Sequence, residues 1–304
     1  MRVFVTGATG LVGSAVVAEL VAAGHRVLGL ARTEAAASAL EAAGAEPHRG
    51  GLDDLDSLRA GAAAADGVIH TAFNHDFSRY KESCEADRHV IDAFGDVLAG
   101  SGRPLIVTSA VGLLGSVRLA TEEMVPPSGP GALPRVASEE AAASVAARGV
   151  RVSVMRLPPS VHGDGDHGFV PLLIGMARET GVSAHIGEGL NRWSAVHRLD
   201  AARLYRLALE RAEGGGEGEG GACYHAAAEE GVSFREIAAV IGRRLGVPVV
   251  AKSGEEAAAH FGWFAHFAAL DCPTSSAWTR ARLGWQPTGL GLITDLDHDR
   301  YFGG

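Results

Sequence analysis

Apolar residues fall along this chain in short unbroken runs, set between alanine-rich stretches of helical period. The runs predict strands at Val3–Thr6, Arg26–Ala31, Gly67–Thr71, Leu105–Ser109 and Val152–Leu157. The stretches between them predict helices over Leu11–Ala23, Glu34–Ala43, Leu55–Ala64, Tyr80–Leu98 and Ala137–Ala147. Strands that are apolar throughout and separated by helices belong to a parallel sheet covered on both faces, joined by right-handed crossovers. The expected fold class is α/β, a doubly wound parallel sheet of Rossmann type over residues 1–157.

After residue 158 the pattern changes. Pro158-Pro159-Ser160-Val161-His162-Gly163-Asp164-Gly165-Asp166 is too rich in proline and glycine to predict regular structure. A helix over Pro171–Glu179, the segment Asn191–His197 and a helix over Leu199–Arg211 follow. Glu213–Gly221 reads as a flexible surface loop, Ala222–Ala226 as a strand, and Ser233–Leu245 as a helix capped by Ser233 with Glu236 closing a capping box. Residues 158–304 are expected to form a smaller substrate lobe, interleaved with the sheet around 190–226.

Composition narrows the partners. Of 304 residues 47% are hydrophobic, enough for a sizeable core, and 27 Lys+Arg against 36 Asp+Glu leave a net charge of −9. With no Lys/Arg block, nucleic acid and membrane are excluded as partners. No apolar run approaches the roughly 20 residues of a membrane span. Arg2–Gly7 reads as a buried strand running into a glycine turn, so no signal peptide is expected. Cys84, Cys223 and Cys272 lie far apart, which suits reduced thiols and gives no metal-site spacing. The expectation is a soluble cytoplasmic protein, monomer or homodimer, with a small-molecule substrate and no metal.

The 41 glycines are about twice the usual share of roughly 7%, so a glycine motif counts only by position. Thr6-Gly7-Ala8-Thr9-Gly10-Leu11-Val12-Gly13 has the position: it leaves the first strand and opens the first helix. There Gly7 makes the tight turn, Gly10 admits a pyrophosphate, and Gly13 lets helix and strand pack closely. The amides of Leu11 and Val12 face the anion, with Thr9 beside them. The second strand ends in Arg32-Thr33 where an NAD site usually has Asp or Glu. A guanidinium beside a hydroxyl suits a 2′-phosphate, so NADP(H) is favoured over NAD(H).

With these residues placed, the chain resembles the extended and atypical short-chain dehydrogenase/reductases, relatives of the NAD(P)-dependent epimerases. Asp66–Ala72 looks like their fourth-strand signature, Ile106–Ala110 like the fifth strand, and Arg156–Gly163 like the loop after the sixth. Val196–Ala202 resembles the segment where the chain returns to the substrate lobe. The resemblance implies cofactor contacts at Thr71, Ala72, Phe73, Thr108, Pro158, Pro159, Ser160 and Val161. It also sets Leu52 just after an adenine-contacting acid, which is Gly51 here.

Such enzymes use Ser, Tyr and Lys, with Tyr and Lys four residues apart on one helix. Here the only lysines are Lys81 and Lys252, and four residues before them stand Phe77 and Pro248. Arg135 and Glu139 fall where the resemblance puts Tyr and Lys, and the serine position falls on Ala110 or, with a slip of one, on Ser109. Changes at Arg135 and Glu139 are expected to alter little beyond helix stability. Proton transfer is expected instead at His75, in Asn74-His75-Asp76-Phe77, or at His162, ahead of Asp164, Asp166 and His167. Asp76 is equally a helix cap. Arg192 and Trp193 offer a donor fork and a flat wall, and His260–Phe267 an apolar lid or plain core packing.

Three functions stay open. One is an NADP(H)-dependent oxidoreductase for a small carbonyl, imine or alkene. The others are a catalytically silent NADP(H)-binding sensor, and a nucleotide-sugar epimerase or dehydratase.

Overall fold

The computed structural model describes residues 1–213 and 221–303, so the expected Glu213–Gly221 loop lies largely outside the described residues. Twelve strands occur among them. Six lie in the first half: β1 Arg2–Thr6, β2 Arg26–Ala31, β3 Glu46–Arg49, β4 Gly67–His70, β5 Pro104–Ala110 and β6 Arg151–Leu157. Six follow: β7 Ser160–His162, β8 Ser183–Ile186, β9 Arg192–His197, β10 Ala222–His225, β11 Glu229–Ser233 and β12 Val249–Lys252.

The first eight helices are α1 Leu11–Ala22, α2 Glu34–Ala42, α3 Leu55–Ala63, α4 Tyr80–Leu98, α5 Val136–Ala147, α6 Phe169–Thr180, α7 Arg198–Glu213 and α8 Phe234–Leu245. The C-terminal part adds α9 Gly254–Phe261, α10 Ala265–Ala268, α11 Ala277–Leu283 and α12 Leu292–Leu296.

Seven strands form one parallel sheet in the order β10-β6-β5-β4-β1-β2-β3. Val3, Phe4, Val5, Val68, Ile69, Ile106 and Val107 are fully buried, because helices cover both faces. On one side α1, α2 and α7 enclose Val16, Leu20, Leu40 and Leu204; on the other α3, α4 and α5 enclose Leu58, Ile91, Phe94 and Val145. The order reverses at β1 and β4, so the loops after these strands border one crevice, where ligands of such sheets bind.

The second half carries its own core, built on Trp193, Phe234, Phe261, Phe264 and Ile241 around the β11-β9-β7 sheet. It also gives β10 to the main sheet, beside β6. The expected capping box is present: Ser233 Oγ accepts from Glu236 N, and the Glu236 carboxylate accepts from Ser233 N.

Two expectations need correction. The segment after Pro158-Pro159 does hold regular structure, since Ser160–His162 is β7, paired in parallel with β9. The prolines only precede it, and every strand residue keeps its N–H. Glu46–Arg49, which no apolar pattern marked, is β3 at the sheet edge; there Pro47 costs no hydrogen bond on the open side.

Candidate active site

The glycine loop is built by close contacts. Gly7 has a φ of +66°, and a Cβ there would lie 2.7 Å from the amide nitrogen of Ala72. A Cβ on Gly13 would stand 2.0 Å from the Gly7 carbonyl oxygen, so α1 presses directly on the turn. Gly10 differs, since a Cβ there would meet only the Gly7 oxygen, at 3.3 Å. The space above it is open, and α1 begins with no side-chain cap and no acidic residue in its first turn. The first-turn amides therefore have no side-chain acceptor, which fits a pyrophosphate.

Thr71 ties this loop to β4: its hydroxyl donates to the Thr6 carbonyl at 2.7 Å, and Ala72 N donates to Thr6 Oγ1. Thr71, Ala72 and Phe73 are half-buried along the crevice, and Thr9 and Gly10 are exposed. At the end of β2, Arg32 is exposed and enters no ion pair among the described residues, whereas Thr33 caps α2 by accepting from Ala36 N. Arg49 lies beside Ala31 in the sheet register, a second cation at this end that the sequence reading missed; it pairs with Glu34. Arg198, also missed, donates to Ser14 Oγ in the first turns of α1 and to the Asp164 carbonyl. Leu52 packs on the core beneath α3. Pro158 and Ser160 are buried, Pro159 and Val161 half-buried, and among the described residues the Ser160 hydroxyl has no hydrogen-bond partner.

Next to the loop a buried polar chain crosses the sheet. The Thr6 hydroxyl meets His70 Nδ1 at 2.7 Å, and His70 Nε2 meets Asp87 Oδ1 at 2.9 Å. The other Asp87 oxygen accepts from Arg135 at 2.6 Å and from the Ser138 hydroxyl. Burial alone would raise the Asp87 pKa, but Arg135 and His70 hold it far below the usual carboxylate range. Arg135 also donates to the Thr108 carbonyl at 3.0 Å and lies 4.1 Å beneath the Phe73 ring. The expectation that Arg135 matters only for its helix is thereby corrected. It neutralises a buried carboxylate at the crevice floor.

Glu139 is similarly engaged. It accepts a bidentate pair from Arg156, at 2.8 and 2.7 Å, and the Ser109 hydroxyl at 2.6 Å. Ser109 is 3% exposed and its hydroxyl proton is committed to Glu139, so its expected catalytic part does not fit this geometry. His162 does not reach the crevice either, because strand alternation in β7 turns it inward. It is fully buried, with Nδ1 2.9 Å from Asp295 Oδ2, and burial pushes its pKa down to about 4. Among the described residues no group of three or more His, Cys, Asp or Glu side chains could hold a metal ion. Arg192 spends its fork on Asp271, and Trp193 is fully buried, so neither is available as a ligand wall.

His75 is the expected proton carrier that stays accessible. Loss of water around it, then Arg135, lowers its pKa, so it is neutral at pH 7. Its ring stands 5.2 Å from that of Phe73. Asp76 takes the capping role, accepting from Ser78 N.

A match to the model of the NAD-dependent epimerase/dehydratase family spans residues 3–226. The chain belongs to this family. It is 52% identical over 303 residues to uncharacterized protein C2A9.02 of Schizosaccharomyces pombe, covering 99% of this chain and 100% of that one. A 4-hydroxy-2-methyl-3-oxo-4-farnesyl-3,4-dihydroquinoline-1-oxide ketoreductase of Stigmatella aurantiaca is 30% identical over 227 residues, 71% of this chain and 66% of that one. The structure of Thermus thermophilus UDP-glucose 4-epimerase with NAD superposes with a TM-score of 0.74 at 22% identity, over 100% of this chain and 99% of that one. The family's dependence on a nicotinamide dinucleotide agrees with the glycine cradle. No described helix is long and apolar enough to cross a membrane.

Gly10→Ala should leave stability within about 1 kcal/mol but weaken nicotinamide-dinucleotide binding at least about tenfold, read by thermal unfolding and calorimetry. Unchanged affinity would place the pyrophosphate elsewhere. Arg135→Met should cost about 3–5 kcal/mol at pH 7 by leaving Asp87 buried without its guanidinium partner. A depressed carboxyl stabilises the fold above its unfolded pKa and loses this as pH falls through its folded pKa, so the cost should narrow below about pH 4. Urea titrations at pH 7 and pH 3 check both the size and the sign.

Proposed function

We propose that the chain is an oxidoreductase exchanging a hydride between NADP(H), preferred over NAD(H), and a small carbonyl, imine or alkene substrate. The observation that carries this reading is the crevice itself: an open glycine cradle beside a fixed guanidinium, with an accessible neutral histidine above it. The bound cofactor supplies the hydride chemistry.

The chain's own residues supply the rest. Gly7, Gly10 and Gly13 shape the cradle, and the amides of Leu11 and Val12 hold the pyrophosphate. Thr71, Ala72 and Phe73 wall the crevice, with Pro159 facing them across the β6 side. Arg32 meets the 2′-phosphate with its unpaired guanidinium, and Arg49 adds charge at the same end. Arg135, neutralised by Asp87, holds the Phe73 ring in place at the crevice. His75, held neutral, takes a proton from a substrate hydroxyl in the oxidative direction and returns it in the reductive one. Residues 158–304 serve as the substrate lobe.

The committed hydroxyl of Ser109 favours a second reading, a silent NADP(H)-binding sensor, which predicts tight binding without turnover. Substrate-dependent oxidation of NADPH separates the two. Cofactor consumption also separates the first from an epimerase, which returns its nicotinamide unchanged.

Arg32→Ala should weaken NADPH binding by roughly 1.5–3 kcal/mol and leave NADH nearly untouched; equal losses by calorimetry would make the arginine structural. His75→Ala should slow hydride transfer about 10²–10⁴-fold at unchanged cofactor affinity. In the oxidative direction the wild-type rate should fall only below the ordinary histidine pKa of ~6.5, because the neutral ring is the working form. A pH profile identical in the variant would remove His75 from the chemistry.

A further inference from the structure

Arg198 is the first residue of α7, on the turn where β9 of the second half leads back to the main sheet. One of its terminal nitrogens donates to the Asp164 carbonyl at 2.5 Å and the other to the Ser14 hydroxyl at 2.6 Å. A guanidinium has more N–H donors than these two bonds use. Nε is buried and finds no acceptor among the described residues. Nor does Arg198 enter an ion pair among them, whereas Arg135, Arg156 and Arg192 each hold a carboxylate.

Its surroundings make that cation costly. Helix N-termini carry partial positive charge, and Arg198 lies at two of them, that of its own α7 and the first turns of α1. Burial lowers its pKa, and the Asp164 charge offsets only part of this. A half-buried cation between two positive helix ends calls for an anion.

Ser14 shows where that anion belongs. Its amide donates to the Gly10 carbonyl at 2.9 Å and its hydroxyl to the Leu11 carbonyl. Side chains on a helix lean towards its N-terminus. The Ser14 hydroxyl therefore stands level with the first turn of α1, next to the open space over Gly10. The guanidinium it holds borders the pyrophosphate cradle from the second half of the chain. The 163–168 loop is moulded on the same side chain. Gly163, at a φ of +133°, has no room for a Cβ, which would lie 2.9 Å from Arg198 Cγ.

We propose that Arg198 clasps the pyrophosphate of the bound dinucleotide while keeping its hold on the Asp164 carbonyl, so that cofactor binding fixes the 163–168 loop. The clasp rests on the glycine cradle, not on the preference for NADP(H) or on hydride transfer. It differs from Arg32, which meets only the 2′-phosphate, because Arg198 serves a group common to NAD⁺, NADP⁺ and ADP-ribose.

Arg198→Met keeps most of the aliphatic stem and strands no carboxylate, so it should fold like the wild type, checked by thermal unfolding. Calorimetry on the full chain should show it binding NAD⁺, NADP⁺ and ADP-ribose about 10–100-fold more weakly, alike for all three. Arg198→Lys, which keeps the charge, should recover most of the affinity. At saturating ADP-ribose, amide exchange at residues 164–168 should slow in the wild type and not in Arg198→Met. Wild-type affinity in Arg198→Met, or a loss for the two dinucleotides but not for ADP-ribose, overturns the proposal. Equal losses in the Met and Lys variants, or loop protection unchanged in Arg198→Met, overturn it too, since the arginine is then a loop brace alone. Failure of the wild type to bind any of the three would overturn the cradle, and the clasp with it.

Discussion

The Asp87 carboxylate, enclosed between His70 and Arg135, is the constraint around which the crevice is arranged. A buried charge is tolerable only when paired and fully hydrogen-bonded. Asp87 meets that demand by drawing on β4 through His70 and on α5 through Arg135 and Ser138. His70 in turn orients Thr6, and the Thr6 hydroxyl and carbonyl position Ala72 and Thr71. The cofactor loop, the crevice wall and the helix beneath them are therefore held by one hydrogen-bonded system. The same guanidinium that satisfies Asp87 also lies against the Phe73 ring, so one group ties the buried pair to the crevice wall.

A second pair, Glu139 with Arg156, lies one turn further along α5. It anchors α5 to β6 and consumes the Ser109 hydroxyl. Arg135 and Glu139 are thus both engaged in buried ion pairs that hold the sheet and its helices together. The loop after β4 is tied to the sheet through Thr71 and Ala72 and packs on Arg135 through Phe73, whereas Phe77 is held by rings from the second half.

Much of the fold was legible because parallel strands buried on both faces leave unbroken apolar runs. The glycine loop was legible because Gly7 and Gly13 occupy positions no Cβ tolerates. What was not legible had no pattern to read. β3 is four mostly polar residues on an edge, and β7 hides behind two prolines. His162 looked functional because a histidine among glycines and aspartates resembles a loop ligand; only the strand turned it inward, onto Asp295. Arg135 was underestimated because its partner, Asp87, lies 48 residues earlier on another helix, a distance across which sequence carries no signal. The stack of Phe77 on Trp263 was visible only as two separate segments, 73–77 and 260–267, until folding joined them.

The most direct test is a crystal structure of the chain with NADP⁺ bound. The account predicts the pyrophosphate over Gly10 at the start of α1, the 2′-phosphate at Arg32, and the nicotinamide beside Phe73 with its C4 open towards His75. A nicotinamide turned away from Phe73, or a pyrophosphate seated away from Gly10, would contradict it.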